Sequence, residues 1–367
     1  MREEARTYVH PEELRWAQVN EKHLQFEPLT RDQIHSIMER GRELHRWYKS
    51  HHLTHNLINL VVLIFLFGSD YLVLLKLPGV WLAARGHNAA GSIVVAGVVC
   101  GLLHCWLMYS LAVFSMHEGA AHKSIFPPRG PLSRFGHFVS CHLGRISGGV
   151  PDFYSEKHMI HHSKFGTAED AEFLNFVTPR RYWMTFLPFA VVINFSDFVF
   201  HRPPNYTKSR WISLLVALLY HVPYTYLTYR LWGGWFTLLV FLSVTQLGFH
   251  LDRLRQFTEH NLMPLDNLNG SRSFGFGFWG ILVGGGPWGS PCHWEHHLVA
   301  SIPWYQQLVL HRHVLGLLTP GQRNQFFIKP VVGFPVLWWR LLRQSYSLMR
   351  AAPNGIEPAS TQQQSSA

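Results

Sequence analysis

Two stretches of the chain carry three histidines at the spacing H-x-x-H-H: His158, His161 and His162, then His293, His296 and His297. Residues three and four apart lie on one helical face, so each stretch can aim three imidazoles into one site. A looser pair, His117 and His122, closes the run His-Glu-Gly-Ala-Ala-His. These two are five apart, about 140° on an ideal helix. They ligate together only where the helix loosens, which Gly119 between them allows, or else they serve different metals. A ninth histidine, His260, ends the run Arg255-Gln256-Phe257-Thr258-Glu259-His260. Imidazole suits first-row transition metals, and iron with open coordination positions is the usual choice for oxygen chemistry. Nine imidazoles are too many for one ion and suit two, so the economical reading is a dinuclear iron site.

The other histidines of the 25 have plainer readings. His104, His221 and His250 fall in apolar segments and read as satisfied core or interface residues. His10, His23, His51, His52, His55, His311 and His313 read as solvated or headgroup-facing surface. His117 to His122 is not a zinc-protease helix, since that motif needs histidines four apart. Cys100, Cys105, Cys141 and Cys292 form no C-x-x-C pair and read as reduced, buried thiols.

Elements that position these arrays follow from composition. The chain has 367 residues, a formal charge of +10 and 14% aromatic residues. Such a charge suits nucleic acid or an anionic membrane surface. Long apolar runs decide for the membrane, so no nucleic-acid partner is expected. Residues 1–53 are polar, without a cleavable signal peptide, and read as a cytoplasmic helical segment starting near Thr30. Residues 54–315 read as the membrane domain with the histidine arrays. Its expected spans are Asn56 to Leu77, Ser92 to Met116, Trp211 to Tyr229 and Trp235 to His250, each near the length that crosses a bilayer. Lys and Arg crowd the 40s and the region Lys123 to Arg181, which puts both termini and all the arrays in the cytoplasm. Tyr182 to Phe200 is apolar, but a span there would separate His162 from His293, so it is read as an interfacial helix. Ser273 to Gly286 reads as an irregular loop on the membrane surface. Residues 316–352 read as a surface-lying helical region, centred on Phe326 to Leu348. Residues 353–367 read as a disordered tail. The fold class is therefore an all-α membrane protein: about four transmembrane helices in two hairpins under a cytoplasmic helical cap, with interfacial helices.

The set H-x-x-x-x-H, H-x-x-H-H, an isolated histidine after the fourth span and a final H-x-x-H-H resembles the integral-membrane fatty acid desaturase and hydroxylase superfamily over about residues 50–315. The resemblance implies a mushroom-like bundle whose cap holds two iron ions, with His117, His122, His158, His161, His162, His260, His293, His296 and His297 as ligands. It implies O2 as co-substrate, a membrane lipid or acyl substrate, and electrons from a separate ferredoxin, rubredoxin or cytochrome. No His-Pro-Gly-Gly haem motif of a fused cytochrome b5-like module occurs. Gln256 stands where stearoyl-type desaturases carry an asparagine that binds iron through a water. Gln256 to His260 also resembles the Asn-Tyr-x-Glu-His run of membrane alkane monooxygenases. The tail Ile302-Pro303-Trp304-Tyr305 looks more like acyl-lipid desaturases.

The implied activity is desaturation of an acyl chain. Hydroxylation of an acyl, alkyl or other lipophilic substrate is the alternative, and a non-enzymatic membrane metal or haem protein is the distant one. Each ligating imidazole needs an acceptor on its other nitrogen. Asp170, Glu259 and Glu295, with Asp152, Glu156, Glu169 and Asp252, are close enough in sequence to serve. Trp106, Tyr109, Phe114, Trp288 and Trp294 are candidates to line an apolar channel from the bilayer.

Overall fold

The computed structural model describes residues 25–85, 90–125, 131–167, 169–170, 207–288, 291–329 and 333–351. Among them all regular structure is helical, and the only β pairing is an isolated bridge between Ser273 and Phe327. The proposed interfacial helix at Tyr182 to Phe200, the first 24 residues and the tail from residue 353 lie outside the described residues.

Helix α1 (Arg31–Ser50) starts at Thr30, where a capping box pairs the threonine hydroxyl with the backbone of Gln33 and the Gln33 amide with the backbone of Thr30. Its buried residues Ile37, Gly41, Leu44 and Tyr48 repeat at helical spacing and face the tail of the third array. There Ile37 and Leu44 join Trp294, Leu298, Val299, Ile302, Leu310 and Val314 in one core cluster. The polar N-terminal helix thus serves as a lid over His293 to His297.

Helix α2 (His52–Tyr71) passes through a π segment (Leu72–Lys76) into α3 (Leu77–Arg85). Helix α4 (Ala90–Ala112) runs without a break into a second π segment (Val113–Ala121). After α5 (Pro131–Ile146) and α6 (Pro151–Lys164) come α7 (Thr207–Trp232) and α8 (Gly234–His260). Among the described residues three helices are long and apolar enough to cross a membrane: His52–Ala84, Gly91–Ala121 and Lys208–Trp232. The fourth expected span falls within α8, which has 27 residues. Gly234–Val244 is apolar, and the last turns carry Asp252, Arg253, Arg255 and Glu259 toward His260. One helix thus joins an apolar segment to a candidate ligand. It packs closely along α4, where a Cβ on Gly101 would lie 2.6 Å from the Ser243 hydroxyl. Small residues at such a crossing let helix backbones approach in lipid.

Beside the apolar helices lie α6, α9 (Phe278–Val283), α10 (His293–Leu298), α11 (Trp304–Leu317) and α12 (Pro320–Phe326). Ser273 to Gly286, expected as an irregular loop, contains α9 and the bridge to Phe327. The helix expected from Phe326 also starts later. Thr319 caps α12, which ends at Phe326, and the amphipathic helix α13 (Gly333–Ala351) follows. Its Leu341 and Leu342 pack on Phe257 and Leu262 beside the end of α8.

Candidate metal centre

Four elements bring the predicted histidines together, and π geometry explains the awkward first pair. In the segment Val113–Ala121 hydrogen bonds run i to i+5, and the His122 amide donates to the His117 carbonyl at 3.1 Å. Winding wider than an α-helix carries residues five apart to nearly one face, so the two rings meet with centroids 5.0 Å apart. Gly119 permits the bend's neighbour: a Cβ there would lie 2.6 Å from Ser140. Helix α6 begins with Pro151 at its first turn and delivers His158, His161 and His162 at its end. Helix α8 ends on His260. Buried Arg272 donates to the carbonyls of Thr258, Asn261 and Leu262 at 3.1, 2.7 and 2.9 Å, holding that terminus in place.

The histidines form two groups whose ring nitrogens lie within 4.8 Å of one another: His117, His122, His158 and His296, and His161, His260, His293 and His297. Each H-x-x-H-H array is split between them. The second array gives His158 to the first group and His161 to the second, while the third gives His296 to the first and His293 and His297 to the second. His162 lies between, its Nε2 3.1 Å from that of His158 and 2.9 Å from that of His296. One helical face thus serves two sites, because its i and i+3 positions diverge enough to reach neighbouring centres.

The Nε2 contacts run in two rows. His122, His158, His162 and His296 follow one another at 2.9, 3.1 and 2.9 Å. His161, His297, His293 and His260 follow at 3.3, 3.1 and 2.9 Å. A neutral imidazole nitrogen offers one proton or one lone pair, so a middle nitrogen cannot hydrogen-bond both neighbours. Charged rings are disfavoured: burial, then the neighbouring histidines, lowers His158, His162, His260, His293, His296 and His297, and takes His122 to about 3. Two cations would receive all these lone pairs at once. Nitrogens sharing an ion at bonds of about 2.1 Å are separated by comparable N–N distances. The donor set therefore fits a pair of first-row metal ions.

Outer nitrogens are held as a metal site requires. Asp170, fully buried, accepts from His161 Nδ1 with both carboxylate oxygens at 3.0 Å. His260 Nδ1 donates to the Gly270 carbonyl at 3.1 Å, and a Cβ on Gly270 would sit 2.1 Å from the Phe165 ring. Glu118 accepts from His117 Nδ1 at 3.0 Å and is itself bound by the Ser124 hydroxyl at 2.7 Å. His296 Nδ1 meets the Gln307 amide at 3.1 Å. Glu259 instead stands on the inner side, 3.5 Å from His293 Nε2 and 3.0 Å from Arg255, while His293 Nδ1 is buried without a hydrogen-bond partner.

Glu295 faces the other way. It binds the Ser273 hydroxyl and His311 Nδ1, and with Cys292 forms a third grouping in which its oxygens are already engaged. Burial opposes a charge on His311, but Glu295 outweighs it and the imidazole is raised above its ordinary value. His55 and His311, read from sequence as surface histidines, are thus structural: His55 is fully buried and contacts Tyr305 at 3.0 Å. Asp152 pairs with Arg145 and Ser209, Glu169 with Lys164, and Asp252 with Arg255, so none of these carboxylates holds a site histidine. Glu118 and Gln307 were missed by sequence reasoning. Glu118 had a signal in its adjacency to His117, whereas Gln307 sits on another helix with none.

A small cleft between the groups is lined by His117, Tyr154, His158, His161, Arg255, Gln256, His260 and His293. Gln256 Oε1 is buried there without a hydrogen-bond partner. Below it a cavity of about 480 Å³ descends along Met116, Val113, Tyr109 and Cys105. Of the expected channel aromatics only Tyr109 lines it. Phe114 and Trp288 pack in the core between α2 and α4, Trp294 lies under α1, and Trp106 donates to the Leu282 carbonyl. His104 and His221 hydrogen-bond to Asp70 and to the Ile146 carbonyl, an arrangement unlike the facing histidines of a di-haem cytochrome.

The fatty acid desaturase family model matches residues 90–329, well over half of the chain and every histidine of both groups. No curated protein and no solved structure matches. The chain belongs to the fatty acid desaturase family.

Proposed function

We propose that the protein is a multi-pass, membrane-bound di-iron oxidoreductase that desaturates a fatty acyl chain. The observation that carries this reading is the pair of imidazole rows, four converging ring nitrogens each, at the head of an apolar cavity. His117, His122, His158, His162 and His296 would hold one iron, and His161, His260, His293 and His297 the other. When bound, the irons supply activation of O2 and removal of hydrogen from an unactivated C–H bond. The balance for desaturation is one O2, two electrons, two protons and a –CH2–CH2– unit giving –CH=CH– and two waters. Hydroxylation differs only in keeping one oxygen on carbon and releasing one water.

This chain's residues do the positioning. Asp170, Glu118 and the Gly270 carbonyl fix the tautomers of His161, His117 and His260, so that each Nε2 presents a lone pair inward. Gln256, with its unpartnered oxygen between the groups, is placed to hold a water there. The walls from Met116 to Cys105 orient an alkyl chain and exclude water, which matters when a C–H bond must lie within reach of one oxidant. In the proposed orientation both termini and the centre face the cytoplasm, where a separate ferredoxin, rubredoxin or cytochrome donates electrons. An acidic donor suits the chain's excess of Lys and Arg.

Expression with a competent electron donor, followed by lipid and hydrocarbon profiling, tests the proposal. The expected result is a new unsaturated acyl product, absent with His296→Ala, and two irons per chain by elemental analysis. An alcohol instead of an alkene would shift the reading to hydroxylase. Identical profiles, or purified protein without iron, would overturn it.

A further inference from the structure

One buried polar cluster outside the centre lies between two of the helices apolar enough to cross a membrane. Asp70 on α2 and His104 on α4 are buried and hydrogen-bonded through Asp70 Oδ1 and His104 Nδ1, while Asp70 Oδ2 has no hydrogen-bond partner. Ionisable side chains within a span are costly and mark functional sites. The helix is also altered beside this pair: the π segment begins two residues after Asp70. Side chains of α7 attend to it, Tyr224 donating to the Asp70 carbonyl at 3.3 Å and Trp232 to the Leu74 carbonyl at 2.9 Å. Such bulges recur at functional sites.

His104 faces a cavity of about 750 Å³ between α7 and α8, whose walls include Leu74, Val222, Phe241, the hydroxyl-bearing Tyr224 and Thr225, and His221, whose Nε2 is already bound to the Ile146 carbonyl. Val244 is in its wall and also in the wall of the cavity beneath His117, so the two spaces adjoin. With Nδ1 bound to Asp70, Nε2 is the nitrogen left for the cavity, and the carboxylate sets it as an acceptor. His104 precedes His117 by thirteen residues on one continuous helix, about 19 Å along the axis. A purely hydrocarbon occupant would leave that nitrogen dry and unpaired, and a site built to bond a hydroxyl rejects analogues lacking it.

We propose that His104, oriented by Asp70, is a specificity-determining residue that binds a hydroxyl group at the far end of a long lipophilic substrate, about 19 Å from the carbon presented to the histidine centre. The assignment deepens the oxidoreductase reading and rests on it for the reacting end only.

Its test is a binding measurement on purified protein in phosphatidylcholine nanodiscs, with hexadecan-1-ol and hexadecane as probes and retained ligand quantified by gas chromatography. His104→Asn is the informative variant: its amide reaches the position of Nδ1 and keeps the bond to Asp70, but removes Nε2. Bilayer partitioning of each probe cancels between wild type and variant. The alcohol-to-hydrocarbon ratio is expected to be roughly tenfold higher for wild type, with the thermal midpoint unchanged. A mere clamp between α2 and α4 predicts equal ratios, and equal ratios overturn the proposal. If His104→Asn does not fold, Val222→Trp decides: filling the cavity must abolish alcohol retention, and undiminished retention overturns the proposal equally. Product formation without hydroxyl preference sinks this assignment alone, whereas preference without any oxidised product leaves it standing and sinks the oxidoreductase reading.

Discussion

Two settings of buried histidine in this protein invite comparison, and their partners tell them apart. In the candidate metal centre, Nε2 atoms converge in rows at 2.9–3.3 Å, with carboxylates and carbonyls placed behind several of the rings. On the apolar helix Gly91–Ala121, His104 has the same kind of carboxylate support from Asp70, yet a cavity rather than other imidazoles in front. Support from behind is common to both. What stands in front decides between gathering a cation and offering a single hydrogen bond.

Replacing histidines of the two rows breaks this contrast most severely. Because the third array is split, His296→Ala should empty one iron position and His293→Ala the other, each with more than about 100-fold loss of product. Iron per chain, by elemental analysis, should fall from two to one in each variant and to none in the pair. Equal loss of both irons from either variant would mean that the groups fold as one unit. Stripping the metal should come next in size. Without cations the rows are left with unmatched lone pairs, so chelation should lower the thermal midpoint by several degrees, through loss of a ligand that binds only the folded state. His104→Asn protein should show the same drop, since that residue stands apart from the rows.

The arrays were readable because imidazoles three and four apart need only a helix to share a face, and that local rule holds in α6 and α10. The histidine pair five apart was readable only as an anomaly; the π segment that resolves it depends on tertiary packing of Gly119 against Ser140. Splitting of each array between two groups was not readable, since it depends on where α4 and α8 arrive. Gln307 and Arg272 reach the centre from loops and helices with no periodic signal. Helix ends show another limit. Trp235 to His250 reads as a membrane crossing from its aromatics and leucines, but its continuation as one helix to His260, carrying Asp252, Arg255 and Glu259, was not readable. His55 and His311 looked like surface residues because single histidines carry no phase, and only their partners Tyr305 and Glu295 reveal burial.

Supporting residues give smaller effects that sharpen the comparison. Asp170→Asn keeps the shape but replaces a carboxylate that receives His161 Nδ1 in two contacts at 3.0 Å. Metal affinity in the second group should fall about 10- to 100-fold, read by competition with a chromogenic chelator. Gly119→Val should distort the π segment, because even a Cβ meets Ser140 at 2.6 Å and Ile125 at 2.8 Å. Overpacking of this kind costs about 1–3 kcal/mol, and the thermal midpoint should fall with it while iron leaves the first group before the second.

Tyr224→Phe should have the smallest effect and is the most discriminating for the membrane pair. The hydroxyl donates to the Asp70 carbonyl at a long 3.3 Å. Its loss removes one weak hydrogen bond, about 0.5–1.5 kcal/mol, and leaves Asp70 and His104 joined. Iron content should therefore be unchanged, and hexadecan-1-ol retention should fall less than in His104→Asn. A fall as large as that of His104→Asn would move hydroxyl recognition from the imidazole to the phenol, and the parallel between the two settings of buried histidine would fail.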